Sequence, residues 1–214
     1  TDSVQDIEVW DDKEIQALAD EFSGTTMRFL IILAANTGAR LGELLALTYD
    51  DIQGNMMYIN KQPSDFAPID DEVSYSTNIT ETKSSGSNRV VPLSQAVMKE
   101  LEIHKQVRIE EMEKYGYETN YLFTTTNGTF YYKRNIRRAI VRACDRIGID
   151  YHKFHALRHT FGTNLSRAGV PIEDTSKLLG HADVSTTSKY YIGVSAQRKL
   201  EAVEKIAGYT LKTS

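Results

Sequence analysis

The sequence has little of three things: cysteine, long apolar runs and excess positive charge. Cys144 is the only cysteine among 214 residues, which excludes an intrachain disulfide framework and fits a reducing compartment. No apolar run approaches the roughly 18 residues that span a bilayer, and no basic segment followed by an apolar one opens the chain as a secretory signal does. We therefore expect a cytoplasmic protein that does not enter a membrane.

The charge of the chain is unevenly distributed. Its formal net value of −4 argues at first against a nucleic-acid partner. Residues 1–23, however, carry eight acids and one base, which leaves a net charge of +3 on the rest of the chain. Residues 133–167 carry nine bases against two acids. A phosphate-binding surface needs such clustered charge, although a solvated amphipathic helix is the simpler interpretation of this stretch alone.

The predicted fold is mainly α with a small antiparallel β-sheet inserted early (α+β), and no linker divides it. Hydrophobic residues make up 41% and charged residues 25% of the chain, ordinary values for a globular protein. Caps and apolar periodicity predict helices over residues 11–22, 26–35, 41–47, 94–115, 133–147, 154–168, 172–179, 184–192 and 195–206. Strands are predicted over 56–59, 76–82, 89–93 and 121–123, with a loop over 62–71 and a hairpin turn over 84–88 between the second and third strands.

Two basic residues lie at predicted turns. Arg40 follows a helix-terminating glycine and opens the next helix, where its guanidinium and the free backbone amides could hold a phosphate. The alternative is a surface ion pair between Arg40 and Glu43. Lys83 lies at the start of the predicted hairpin turn, where most lysines are solvated charges that discourage strand pairing between molecules.

A histidine-rich motif occupies the helix predicted over 154–168. Spacings of three and four residues place His155, Arg158 and His159 on one helical face. A zinc site is excluded because the glutamate of the H-E-x-x-H pattern is missing and an arginine would repel the cation. A histidine beside an arginine instead suits a proton-transferring group next to a bound phosphate.

Two further motifs are weak when each is taken alone. His181 follows Gly180 at a predicted helix end, where a histidine is more often a structural hydrogen-bonding group than a catalyst. Tyr190 and Tyr191 end a short predicted helix, where aromatic residues usually serve packing.

Taken in order, these motifs resemble those of the catalytic domain of the tyrosine recombinases, the phage integrase family. That family has an arginine in T-G-x-R-x-x-E, a lysine in a β-hairpin, H-x-L-R-H, L-G-H and a tyrosine nine residues after the last histidine. The matching residues here are Arg40, Lys83, His155, Arg158, His181 and Tyr190. The predicted hairpin from Thr82 to Arg89, followed by Val91, Pro92 and Leu93, most resembles that of integrases of temperate phages and conjugative elements.

The resemblance implies a strand-transfer enzyme that works without metal or cofactor. Tyr190 would attack the scissile phosphorus and form a 3′-phosphotyrosyl link, with His155 accepting or helping to accept its proton. Arg40 and Arg158 would clamp the nonbridging oxygens, and His181 would hydrogen-bond the phosphate. Lys83 would protonate the leaving 5′-oxygen. Glu43 and His159 would support the site, and Tyr191 is the competing nucleophile.

Charge alone suggests that the basic helix contacts the DNA backbone. Its five candidate residues are Lys133, Arg134, Arg137, Arg138 and Arg142. The expected partners are double-stranded DNA attachment sites, further copies that form a tetramer on DNA, and accessory DNA-bending or excision factors.

The resemblance also implies a domain organisation. Residues 1–10 would end an interdomain linker, 11–193 would form the catalytic domain, and 194–214 would form a C-terminal helix or tail that packs on a neighbouring subunit. The N-terminal core-binding domain that members usually carry is expected to be absent from this chain.

Three other functions use related features. A type IB topoisomerase shares the arginine, lysine, histidine and tyrosine chemistry, but the H-x-L-R-H and L-G-H motifs favour a recombinase. A DNA-binding protein without catalytic activity could use the same fold. A metal-dependent nuclease is the third alternative, and cleavage that is insensitive to EDTA would exclude it.

Overall fold

A computed structural model describes residues 8–63, 79–81, 88–188 and 190. Eight α-helices lie in these residues: α1 (Asp12–Glu21), α2 (Thr26–Thr37), α3 (Leu41–Leu45), α4 (Gln95–Tyr115), α5 (Lys133–Ile147), α6 (His155–Arg167), α7 (Ile172–Leu179) and α8 (Ser185–Ser188). A short 3-10 helix covers Tyr49–Asp51. The five strands are β1 (Ile52–Gln53), β2 (Met56–Ile59), β3 (Lys61–Pro63), β4 (Ile79–Glu81) and β5 (Arg89–Pro92). The mainly helical fold with a small antiparallel sheet is confirmed.

Local sequence signals set most helix bounds. The predicted capping box at Asp11 forms, because Asp11 N donates to Glu14 Oε2 at 2.8 Å and Lys13 N donates to Asp11 Oδ1 at 2.8 Å. Ser94 caps α4, and α5 and α7 have the predicted bounds. Helix α2 continues two residues beyond the prediction, whereas α3 ends two residues before it.

The sheet differs from the prediction in its pairing. β2 pairs antiparallel with β1 and β5, whereas β4 pairs with β3. No pairing of β4 with β5 occurs among the described residues. β3 also covers the first two residues of the predicted loop over 62–71. Extended backbone therefore continues beyond the apolar strand predicted over 56–59. The predicted turn over 84–88 lies largely outside the described residues.

The predicted strand over residues 121–123 is wrong. Tyr121 forms an isolated bridge with Thr48, and Leu122 and Phe123 are buried without a strand partner among the described residues. Their apolar character reflects packing into the core, since Phe123 stacks near Phe29. Only 185–188 of the predicted helix 184–192 is helical within the described part of the chain, and the predicted helix 195–206 lies outside it.

Helix α2 lies at the centre of the core. Its side chains at Leu30, Ile31 and Leu33 are fully buried, and the helix packs against α1, α4 and α6. Because α2 is apolar on nearly every side, it needs neighbours all round it. Its end therefore reaches α6 and the end of α7, where the motif residues lie. No helix of the described residues is both long enough and apolar enough to cross a membrane.

Candidate functional site

The end of α2 approaches α6 and α7 closely because residue 38 is glycine. Gly38 ends the helix with a φ of 61°, a left-handed conformation that glycine adopts without strain. A Cβ at this position would lie 2.6 Å from Phe161 Cδ1 and 2.8 Å from Leu179 Cδ2. The glycine therefore places the first residues of α3 beside the middle of α6 and the C-terminal end of α7.

Arg40 begins α3 and is held by Glu43. Glu43 accepts hydrogen bonds from the Arg40 backbone N and from Nη1, both at 2.8 Å. This is the predicted i,i+3 pair, but it is not a surface pair, because the Glu43 side chain is 4% exposed. Arg40 remains 41% exposed and donates through Nη2 to the Gly180 carbonyl at 3.2 Å.

A second arginine, which the sequence did not indicate as a site residue, holds Glu43 from the other side. Arg89 on β5 donates through Nη1 and Nη2 to the two carboxylate oxygens, at 3.0 and 2.7 Å. Burial opposes the ionisation of Glu43, but the hydrogen bonds from Arg89 and Arg40 outweigh it and lower its pKa. Glu43 is therefore a buried carboxylate between two arginines.

Arg158 is buried on α6 next to this pair. Its Nη1 donates to the Gly38 carbonyl at 2.6 Å and its Nη2 to the Leu179 carbonyl at 2.5 Å. Burial, together with the positive charges of Arg40 and Arg89, lowers its pKa to about 9. Arg158 therefore still carries its charge at pH 7. With one carboxylate among three guanidinium groups, the site attracts an anion.

His181 and Tyr190 lie together on the segment after α7. His181 Nδ1 lies 2.9 Å from Thr187 Oγ1. The imidazole stacks on the Tyr190 ring with centroids 6.4 Å apart and an interplanar angle of 9°. The Tyr190 backbone N donates to the Thr187 carbonyl at 3.1 Å. Thr187, which is fully buried, thus fixes both residues.

The Tyr190 ring is 3% exposed and covers α6. A Cβ on Gly162 would lie 2.9 Å from Tyr190 Cε2, so the ring occupies the space that a larger residue would fill. Burial raises the pKa of Tyr190, and the positive charge of Arg158 opposes this rise in part. The phenol is therefore protonated at pH 7, and a reaction at its oxygen requires a proton acceptor.

The two histidines of α6 extend from Tyr190 to an open cavity. The His159 ring lies 6.0 Å from the Tyr190 ring and 4.8 Å, edge to face, from the ring of His155. His155 lines a cavity of about 340 Å³ together with Arg40, Glu43 and Lys133. The cavity is large enough for a phosphodiester group, and two of the side chains that line it, Arg40 and Lys133, are cationic.

Helix α5 carries the predicted basic surface. Its apolar face, formed by Ile136, Ile140, Ala143 and Cys144, is buried. The five predicted DNA-contacting residues, Lys133, Arg134, Arg137, Arg138 and Arg142, are all exposed. Lys133 also lines the cavity next to Arg40, which the charge pattern did not reveal. Partial desolvation of its ammonium group by neighbouring atoms lowers its pKa, although the side chain is exposed.

The structure thus brings five of the six motif residues together. They come from the residue before α3, from α6 and from the segment after α7: Arg40, His155, Arg158, His181 and Tyr190. Lys83 lies outside the described residues, as does Tyr191. No group of three possible metal ligands is present within the described part of the chain.

Comparisons with known proteins agree with this arrangement. The sequence profile of the phage integrase family matches residues 8–198. The chain is 33% identical over 211 residues to a protein named tyrosine recombinase XerC-like from Caldanaerobacter subterraneus, with 94% of this chain and 54% of the relative covered. It is 29% identical over 188 residues to an integrase of Streptomyces ambofaciens, with 83% of this chain and 47% of the relative covered.

Solved structures share the fold. The Tn1549 transposon integrase in complex with transposon right end DNA matches with a TM-score of 0.72 and 19% identity, covering 97% of this chain and 68% of that one. The catalytic domain of bacteriophage HP1 integrase matches with a TM-score of 0.58 and 18% identity, covering 97% and 99%.

The chain spans about half the length of the curated relatives it matches. The family profile nevertheless covers nearly all of this chain, including the motifs that form the site. The chain therefore belongs to the phage integrase family, the tyrosine recombinases.

Proposed function

We propose that this chain is the catalytic portion of a site-specific recombinase that cleaves and rejoins double-stranded DNA through a 3′-phosphotyrosyl intermediate. The observation that carries the proposal is the position of Tyr190, whose ring lies against His181 and α6 beside the buried Arg158. A nucleophile of this type conserves the phosphodiester bond energy in a covalent link, so strands can be rejoined without a high-energy cofactor.

In the cleavage step, side chains of this protein transfer each proton and stabilise the negative charge on the phosphate. Tyr190 Oη attacks phosphorus, its bond to phosphorus forms and the bond from phosphorus to the 5′-oxygen breaks. His155 accepts the phenolic proton, and Lys83 supplies a proton to the leaving oxygen. Arg40 and Arg158 bind the nonbridging oxygens and offset the charge of the pentacoordinate transition state. Rejoining reverses these steps with the 5′-hydroxyl of another strand.

The remaining predicted residues act around this centre. His181 hydrogen-bonds the phosphate, while Glu43 and His159 hold their neighbours in place. The exposed basic face of α5 contacts the DNA backbone, and Lys133 of this helix also lines the cavity.

The organisation of the whole protein is part of the proposal. Residues 1–10 end a linker, 11–193 form the catalytic domain and 194–214 form a tail that packs on a neighbouring subunit. The enzyme works in the cytoplasm as a tetramer on DNA attachment sites and, with accessory factors, integrates or excises a mobile element. DNA as the substrate is supported by two structures of the same fold, in which the Tn1549 transposon integrase is in complex with transposon right end DNA and with circular intermediate DNA.

Covalent selection tests the proposal without requiring that the attachment site be known. A library of nicked duplexes with a randomised central segment is incubated with the protein in EDTA, and DNA that resists denaturing extraction from protein is sequenced. We expect adducts that share a sequence motif, and none with Tyr190→Phe. Absence of adducts with the unaltered chain would contradict the proposal. Paired sites containing the recovered motif then distinguish strand exchange from the supercoil relaxation expected of a type IB topoisomerase.

A further inference from the structure

The C-terminal end of α7 is held by three arginines from three different elements. The last carbonyls of a helix lack partners within the helix, and cations stabilise this negative end of its dipole. Three successive carbonyls here each accept a hydrogen bond from a different guanidinium: Leu178 from Arg89 at 2.9 Å, Leu179 from Arg158 at 2.5 Å and Gly180 from Arg40 at 3.2 Å. His181 follows immediately.

Arg89 differs from Arg40 in its burial and its partners. Its side chain is 5% exposed, and all three of its nitrogens donate within the protein. Nε donates to the Leu178 carbonyl, while Nη1 and Nη2 donate to the carboxylate of Glu43. Arg40, by contrast, is 41% exposed at the cavity. The Arg89 guanidinium is therefore committed to the protein interior, whereas Arg40 faces the space that DNA would enter.

The bonds of Arg89 join two parts of the site that are far apart in the sequence. Through Glu43 it reaches the backbone and guanidinium of Arg40. Through the Leu178 carbonyl it reaches the end of α7, three residues before His181. If Arg89 were absent, Glu43 would keep one cation, and the Arg40 guanidinium would be drawn toward the buried carboxylate. The phosphate would then lose the fixed position of one clamping group.

We propose that Arg89 is a positioning residue for the cleavage step, which sets Arg40 through Glu43 and His181 through the end of α7 without touching DNA. This inference rests on the proposed function. A planar guanidinium is required because two parallel bonds go to the carboxylate and a third goes to the carbonyl, which a lysine cannot reproduce.

The test compares Arg89 with a matched arginine far from the site. Arg28 makes the same kind of two-pronged pair, because Nε and Nη2 donate to Glu100 at 3.0 and 2.8 Å, linking α2 to α4. Arg89→Gln, Arg89→Lys and Arg28→Gln are made in the full chain. For each, the melting temperature, the affinity for the nicked duplex recovered by covalent selection, and the single-turnover rate of adduct formation at saturating duplex are measured.

We expect Arg89→Gln to slow adduct formation about 100-fold, as a misplaced reacting group does, with affinity changed less than about threefold. Arg89→Lys should retain the charge and the melting temperature yet remain about tenfold slow. Arg28→Gln should lower the melting temperature and leave the rate within about twofold of the unaltered protein. In a Glu43→Gln background, Arg89→Gln should cost little more, because both changes break the same connection.

Several results would overturn the positioning role while leaving the proposed function intact. One is a rate of adduct formation for both Arg89 variants within about twofold of the unaltered protein, and another is a loss of rate no larger than that of Arg28→Gln when the two variants are equally stable. A third is a change in DNA affinity with no change in rate, and a fourth is a loss of rate that adds fully to that of Glu43→Gln. If Arg89→Gln does not fold, the rate of adduct formation by Arg89→Lys decides the question. If the unaltered chain forms no adduct with any duplex, the proposed function itself has failed.

Discussion

Substitution of Gly162 should displace Tyr190, the proposed nucleophile, without removing any polar group. Gly162 lies within α6, one turn after Arg158, and the Tyr190 ring packs directly on its backbone. A Cβ there would lie 2.9 Å from Cε2 and 3.0 Å from Cδ2 and Cζ of the ring. Three ring atoms would be too close at once, so the ring must move as a whole.

The size of the movement follows from these distances. Carbon atoms in good contact lie about 3.5–4.0 Å apart, so Gly162→Ala displaces the ring by roughly 0.6 Å or more. A misplacement of about 1 Å can cost on the order of 100-fold in rate. We therefore expect Gly162→Ala to slow adduct formation about tenfold and Gly162→Leu about 100-fold or more.

Stability should change in the opposite direction from activity. Replacing a glycine by alanine inside a helix stabilises it by about 0.5–1 kcal/mol. Because the Tyr190 side chain can yield, we expect Gly162→Ala to be no less stable than the unaltered protein in urea. Slower cleavage by a protein that is at least as stable cannot be attributed to unfolding.

The assay is the single-turnover rate of adduct formation on the recovered nicked duplex, at duplex concentrations that saturate binding. Asn164→Ala is the matched control, since it raises helix propensity on the same helix but faces Asp12 on α1, 3.4 Å away. Its rate should be unchanged. If Gly162→Leu formed the adduct as fast as the unaltered chain, the position of the Tyr190 ring against Gly162 would not be the one from which it reacts.

Two further predictions concern stability and DNA affinity. Burial lowers the pKa of His104 to about 4, whereas a histidine in the unfolded chain has a pKa of about 6.5. As the pH falls, the unfolded chain therefore takes up this proton first, and the free energy of unfolding should fall by about 2 kcal/mol between pH 7 and pH 5. Urea unfolding should show this fall, and an equal fall in His104→Gln would contradict its assignment to His104. Arg134→Gln combined with Arg138→Gln should reduce the slope of log affinity against log salt concentration by up to about 2. Arg146→Gln, which loses an ion pair with Glu21 at 2.6 Å, is the control, and an unchanged slope in the double variant would make α5 an ordinary solvated helix.

The sequence predicts best where one residue's local chemistry decides the outcome. Ser94 begins α4 and left-handed glycines end α5 and α7, because caps act on their own helix. The face shared by His155 and Arg158 likewise follows from helix geometry. The segment 121–123, by contrast, has an apolar pattern that fits a strand as well as a buried connection, and only its neighbours decide between them.

The site shows the same division. Motif spacing predicts which residues to consider, and five of the six lie together, while the roles assigned to them stay predictions. The sequence does not predict the pair of Arg89 with Glu43, because the two residues lie on β5 and α3 and only the folded chain brings them together. The sequence does not predict the packing of the Tyr190 ring on Gly162 for the same reason, since a glycine within a helix gives no sign of which side chain covers it.

We predict that Tyr190 forms the covalent bond to DNA, and identification of the modified residue is the sharpest test of this prediction. The adduct is digested with nuclease and trypsin, and the peptide expected after Lys189 and ending at Arg198 is sequenced by mass spectrometry. We predict a nucleotide 3′-phosphate on Tyr190, and the same result when Tyr191 is replaced by phenylalanine. A nucleotide on Tyr191, or an adduct that persists in Tyr190→Phe, would contradict the account.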